Sequence, residues 1–185
     1  MSRLILVRHA APVIDADKPS ADWPLSDAGR GAAAALAEQI APLAPAVLVS
    51  GAEPKMVGTA RAIGDRLGMA NTPLERLNEH ARRSTPFGDR ESFRASIQGL
   101  FSRPGERIYG DESADETYGR WAAAMDRVLA LARGRPVVAV SGGTAISLFV
   151  SRRTGIDPFA FWKALRLPQA FVLATEPWRI EETIG

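Results

Sequence analysis

The chain has 185 residues, 46% of them apolar and 24% charged, which is the make-up of a globular protein long enough to bury a real core. A formal charge of +2, with no Lys/Arg run interleaved with aromatics, argues against a nucleic-acid surface. The absence of cysteine excludes disulfides, thiolate metal sites and a cysteine nucleophile, and no segment approaches the roughly 20 apolar residues that span a membrane. The N-terminal apolar run is too short for a signal peptide, so a cytoplasmic protein is expected.

In chain order, Leu4 to Val7 predicts a buried first strand that ends in Arg8-His9-Ala10. Ser26 is placed to cap a helix running to about Ile40 and stopping near Pro42. Ala46 to Ser50 reads as a second strand, and Pro54 as the first residue of a helix that ends near Gly68. Thr72 to Leu77 reads as an edge strand. Residues 80–118 are rich in Gly, Pro and charge, with helical spacing only from Glu91 to Phe101; they predict an insertion or cap over one end of the sheet. Glu116 to Arg133 carries an apolar helical stripe of Trp121, Met125, Val128 and Leu129. Pro136 to Ser141 predicts another strong strand, Thr144 to Arg152 a helix, and Phe171 to Thr175 a late strand, with a possible further edge from Trp178. Such alternation predicts one α/β domain over residues 1–185, a three-layer α/β/α sandwich around a mostly parallel sheet.

Ligands of α/β proteins bind at the carboxyl ends of the strands. Three such ends bring Arg8-His9, the run from Ser50 to Lys55, and Ser141-Gly142-Gly143-Thr144 to one edge. A guanidinium, an imidazole, an ammonium and a Gly-rich helix start suit a phosphoryl group, because cations neutralise its oxygens and free N–H groups accept an anion. The chain's only histidines are His9 and His80, and two histidines so placed form no metal motif. No metal or other cofactor is expected.

The ordered set Leu-Val-Arg-His at 6–9, Pro-Leu-Ser-Asp-Ala-Gly at 24–29, Ser50 to Ala60 ending in Gly-Thr-Ala, Leu-Asn-Glu at 77–79 and Val-Val-Ala-Val-Ser-Gly-Gly at 137–143 resembles the histidine phosphatase superfamily, with its phosphoglycerate-mutase-like fold. The resemblance implies that His9 attacks phosphorus, that Arg8 binds the phosphoryl oxygens, and that Glu79 gives a proton to the leaving oxygen. It places the second family arginine on Lys55 and the second family histidine on Gly142. Ala10 stands where the family has glycine. Loss of one phosphoryl-stabilising donor costs about a hundred- to a thousandfold in rate. Two compensations are conceivable: the N–H groups of Gly142 and Gly143 with the Thr144 hydroxyl, against a plain strand-to-helix turn, or His80 swinging into the pocket, against the simpler expectation of a loop residue with no role. On this reading Gly142→His should raise turnover.

Two functions follow as expectations: a slow phosphomonoester phosphatase passing through a phosphohistidine on His9, or an impaired relative that binds a phosphorylated ligand or partner. A phosphoglycerate-mutase-type phosphotransferase is a further alternative. The expected partner is phosphate or a small phosphorylated substrate, not nucleic acid or membrane. Arg82 and Arg83 are candidates for reading an acidic substrate, with a solvated loop as the simpler expectation. The sequence leaves Trp23 ambiguous and is silent on oligomeric state.

Overall fold

The computed structural model describes residues 3–86 and 88–185. Four strands come first in the fold's logic: β1 (Arg3–Arg8), β2 (Val47–Ser50), β3 (Asn71–Pro73) and β4 (Val137–Ser141). Two more, β5 (Gln169–Thr175) and β6 (Trp178–Ile184), complete a sheet of order β3-β2-β4-β1-β5-β6. Strands β3, β2, β4 and β1 run parallel, and β5 pairs antiparallel with both β1 and β6. The sheet is therefore mostly parallel, and β1 lies in its interior.

Strand period two explains how so short a β1 anchors both layers. Ile5 and Val7 face one core with α1 (Asp27–Ile40) and α2 (Pro54–Leu67), through Leu36, Ile40, Met56 and Ile63. Leu4 and Leu6 face the opposite core, against Trp121, Met125, Ile146 and Phe149. The helices carrying those side chains are α4 (Ala114–Ala132) and α5 (Gly143–Thr154). All four β1 side chains are wholly buried. At about 1.5–3 kcal/mol for each buried aliphatic side chain, this strand alone is a large share of the core's driving force.

Helix α3 (Arg90–Ser102) lies in the expected cap region and packs with α5 and α6 (Pro158–Ala164) through Ile97, Leu100, Leu148 and Trp162. The helix starts follow side-chain capping. Ser26 Oγ accepts the Gly29 N–H, and Ser113 with Glu116 forms a reciprocal box that begins α4 two residues before the expected start. Two expectations need correction. Thr72 to Leu77 is not one strand: β3 ends at Pro73, which has no N–H for a ladder, and a 3-10 turn over Glu75–Leu77 then buries Leu77. Helix α6 lies where no helix was expected; Pro158 occupies its first turn and the Asp157 side chain accepts the Ala160 N–H at 2.6 Å.

Candidate active site

Arg8 ends β1 and His9 follows it, with the His9 N–H donated to Ser141 O at 3.0 Å. The Ala10 N–H is donated to Thr59 Oγ1 at 3.0 Å, and Thr59 in turn donates to Lys55 O at 2.7 Å. Ala10 is fully buried, so the methyl replacing the family's glycine hydrogen is accommodated in the core. The His9 ring is fixed by Nδ1, which lies 2.8 Å from Ala10 O. A carbonyl can only accept, so Nδ1 carries the proton and Nε2 keeps its lone pair. Burial, and then the nearby charge of Lys55, lowers the His9 pKa to about 3; His9 is a neutral imidazole at any physiological pH.

Two further side chains lie against the glycine turn before α5. A Cβ at Gly143 would stand 3.1 Å from Arg8 Nε, so the missing side chain is what lets the guanidinium approach. Arg8 Nη1 donates to Leu165 O at 3.0 Å, while Arg8 Nε is buried with no hydrogen-bond partner among the described residues. That orphaned donor is the kind of group an anionic oxygen would satisfy.

Glu79 fills the other half of the turn. Its carboxylate accepts N–H groups from Thr144 at 3.0 Å, Ala145 at 2.8 Å and His80 at 2.8 Å. It thus sits on the first turn of α5, where the helix dipole favours negative charge. Burial alone would raise its pKa, but the charge of Arg82 and these three N–H donors outweigh burial and hold it at about 2. In this arrangement the Glu79 carboxylate is an acceptor of three N–H groups. A Cβ at Gly142 would meet Glu79 Oε2 at 2.4 Å and Cδ at 2.5 Å. The space for a side chain at 142 is occupied by Glu79. Gly142 itself has an ordinary extended backbone, φ −94°, so conformational strain is not what bars a side chain there.

The surrounding contacts bear on the other groups read from the sequence. The Thr144 N–H is already bonded to Glu79, so it is not open to a phosphoryl oxygen in this arrangement. His80 does not swing toward the site. Its Nε2 donates to Tyr109 O at 2.7 Å, its Nδ1 lies 2.9 Å from Thr117 Oγ1, and its ring is fully buried. Lys55 is buried against the Glu53 carboxylate and donates to Ser20 O at 2.6 Å, so two of its three ammonium protons are taken. Glu53 was not singled out from the sequence, yet it also accepts the Glu79 N–H at 2.9 Å and so ties Lys55 to Glu79. Its place two residues before Lys55, at the start of α2, was the available signal. Arg83 is exposed and forms a two-pronged pair with Asp22 at 2.8 Å, whereas Arg82 stacks over Phe93 at 5.2 Å.

A cleft of about 640 Å³ opens beside these groups, with Glu53, Glu79, Arg82 and Arg83 on its walls. A second cavity of about 660 Å³ adjoins it, and Trp23 lines that one. Neither is lined by Arg8, His9 or Lys55. Among the described residues no group of three or more His, Asp or Glu stands close enough to hold a metal ion, and no helix is long and apolar enough to cross a membrane.

Solved structures share this fold across nearly the whole chain. A mycobacterial glucosyl-3-phosphoglycerate phosphatase solved with inorganic phosphate has a TM-score of 0.76 at 23% identity, covering 98% of this chain and 96% of its own. A phosphoserine phosphatase from Entamoeba histolytica, solved with 3-phosphoglyceric acid, has 0.76 at 18% identity, with 100% and 98% covered. Bacillus stearothermophilus YhfR has 0.78 at 15% identity, with 98% and 96% covered. No curated protein matches the sequence significantly. The family model of the histidine phosphatase superfamily (branch 1) matches residues 4–178, from the first residues of β1 to the start of β6, and the chain belongs to that superfamily.

Proposed function

We propose that the chain is a phosphomonoester phosphatase acting through His9, with turnover limited by the engagement of Glu79. The observation that carries this reading is the His9 ring: neutral, buried, and held by the Ala10 carbonyl so that Nε2 keeps a free lone pair. In the proposed reaction Nε2 attacks phosphorus, the N–P bond forms, and the ester P–O bond breaks. Water then attacks the phosphohistidine, releasing phosphate and returning the neutral imidazole. Arg8, whose Nε lacks a partner among the described residues, is suited to hold a phosphoryl oxygen. Structural relatives include a glucosyl-3-phosphoglycerate phosphatase solved with inorganic phosphate and a phosphoserine phosphatase solved with 3-phosphoglyceric acid, which supports a phosphate-bearing substrate.

Glu79 gives the reading its specific consequence. With its pKa near 2 it supplies no proton to the leaving oxygen, so esters of acidic alcohols should react far better than alkyl esters. The test is phosphate release with chelator present and no added metal. Turnover of 4-nitrophenyl phosphate should persist and vanish in His9→Ala, and glycerol phosphate should be slower by at least the hundredfold scale of a lost general acid. Activity that survives His9→Ala would end the assignment. Equal rates on the two esters would mean that Glu79 leaves its seat on α5 during turnover.

A second reading, binding of a phosphorylated ligand with little turnover, is favoured by one observation. The Glu79 carboxylate already satisfies the N–H groups of Thr144 and Ala145, so the seat of an anion is internally filled. Phosphate binding without release from any ester would support it.

A further inference from the structure

Glu53 is the N-cap of α2, with Pro54 in the first turn, yet its carboxylate does not serve its own helix. A carboxylate at this position ordinarily accepts an N–H from the second or third helical residue. Here the Glu53 carbonyl starts the helix, accepting from Met56 at 2.9 Å and Val57 at 3.0 Å. The carboxylate is divided instead between two groups of the site. Oε2 pairs with the Lys55 ammonium, and Oε1 accepts the Glu79 N–H at 2.9 Å. Glu53 is 7% exposed and Lys55 3%, so both charges are taken out of water. Desolvation offsets the attraction of a buried ion pair, which makes such a pair a weak source of stability and calls for a role beyond holding the fold.

Lys55 is tied to the residue that follows His9. Thr59 Oγ1 accepts the Ala10 N–H at 3.0 Å and donates to Lys55 O at 2.7 Å. After burial, the charge of Lys55 is the largest cause of the lowered His9 pKa, so its ammonium lies within electrostatic reach of the ring. Two of its donors go to Glu53 and to Ser20 O, the latter at 2.6 Å, and the third is uncommitted among the described residues. A lysine is a point charge on a flexible stem, whereas an arginine is a planar fork already set for two oxygens. A lysine in the place of the family's second arginine therefore needs an outside constraint on its direction. Glu53 on one side and Ser20 O on the other fix two N–H directions, and the tetrahedral nitrogen then fixes the third.

We propose that Glu53 is a positioning residue that aims the third N–H of Lys55 at a phosphoryl oxygen, so that the Glu53–Lys55 pair takes the place of one arginine. The proposal rests on the phosphatase reading and adds to it a residue that itself touches no substrate. The sign of its effect sets it apart. An acidic side chain beside an anion site repels the anion, so removing Glu53 should tighten binding if charge were all that mattered. Removing a brace for Lys55 has the opposite effect.

Calorimetric titration of the full chain with tungstate, a tetrahedral dianion that stands in for phosphate, tests this. Lys55→Met should weaken binding about tenfold, the scale of one charge-assisted hydrogen bond. Glu53→Gln keeps an oxygen for the Glu79 N–H and should weaken binding by a similar factor, although it removes a negative charge. With Lys55→Met already in place, Glu53→Gln should weaken binding no further. Glu53→Gln combined with Lys55→Arg should recover most of the wild-type affinity, because the fork needs no brace. If Glu53→Gln alone fails to fold around an unpaired lysine, Lys55→Met against Glu53→Gln/Lys55→Met decides, since neither holds that lysine; equal affinity supports the proposal. Tighter binding in Glu53→Gln, no recovery with arginine, or a loss that persists with Lys55→Met in place would overturn the proposal and leave the phosphatase reading intact. So would wild-type affinity in Lys55→Met. Failure of both tungstate and inorganic phosphate to bind the wild type would overturn the two together.

Discussion

The pKa values of His9 and Glu79 are both lowered, His9 chiefly by burial and Glu79 by Arg82 and its N–H donors against burial, and the sign of the effect on stability is the same for both. His9 drops from 6.5 to about 3, chiefly by burial, so between those values the unfolded chain binds a proton that the folded chain does not. Glu79 drops from 4.5 to about 2, its burial outweighed by Arg82 and three N–H donors, with the same consequence in its own range. Folding stability should therefore fall as pH is lowered from 6.5 toward 3. Urea melts at several pH values should show this, and His9→Gln should flatten the limb between 6.5 and 4.5. A limb unchanged in His9→Gln would contradict the buried neutral imidazole. At Gly142 the geometry reverses the sequence expectation. A side chain there must expel the Glu79 carboxylate from three hydrogen bonds. Gly142→His should destabilise the protein by about 2 kcal/mol or more and leave kcat/KM on an aryl phosphate no higher than in the wild type. A stable variant with a hundredfold gain would show that Glu79 yields the space at little cost.

Among the elements, the segment that carries Glu79 is held by Arg120 on α4. The Arg120 guanidinium donates to Arg76 O and Asn78 O at 2.9 Å each and to Glu79 O at 2.6 Å, and it pairs with Glu112. One side chain thus holds three carbonyls along the 3-10 turn and the two residues that follow it. Arg120→Ala should cost about 2 kcal/mol in thermal or urea unfolding, and Arg120→Lys nearly as much because it loses the planar fork. Most elements were legible because their ends are written locally: Ser26 before α1, Pro54 and Gly68 around α2, an unbroken apolar run for β1. Those misread lacked a local signal. Helix α6 is seven residues long, too short for periodicity to emerge, and the strand expected through Leu77 was cut by Pro73.

At the scale of the whole molecule, the sheet order puts β1 between β4 and β5, so the ends of β1 and β4 are neighbours and Arg8 meets the Gly142-Gly143 turn. That convergence was legible, since three runs ending in chemistry-bearing residues must share an edge if the sheet is parallel. The occupancy of the turn was not. Glu79 reaches Thr144 and Ala145 across 65 and 66 residues, and only the folded backbone shows that its carboxylate takes the space a side chain at 142 would need. Likewise Lys55 was read as a free cation, although its partner Glu53 lies two residues away. The central claim is that His9 Nε2 receives the phosphoryl group. Acid-labile, base-stable phosphate on the protein, trapped by rapid quench with labelled aryl phosphate and located by peptide mass spectrometry, tests it directly. The account predicts one adduct on the peptide containing His9, absent in His9→Ala; turnover with no such adduct, or an adduct on His80, would contradict it.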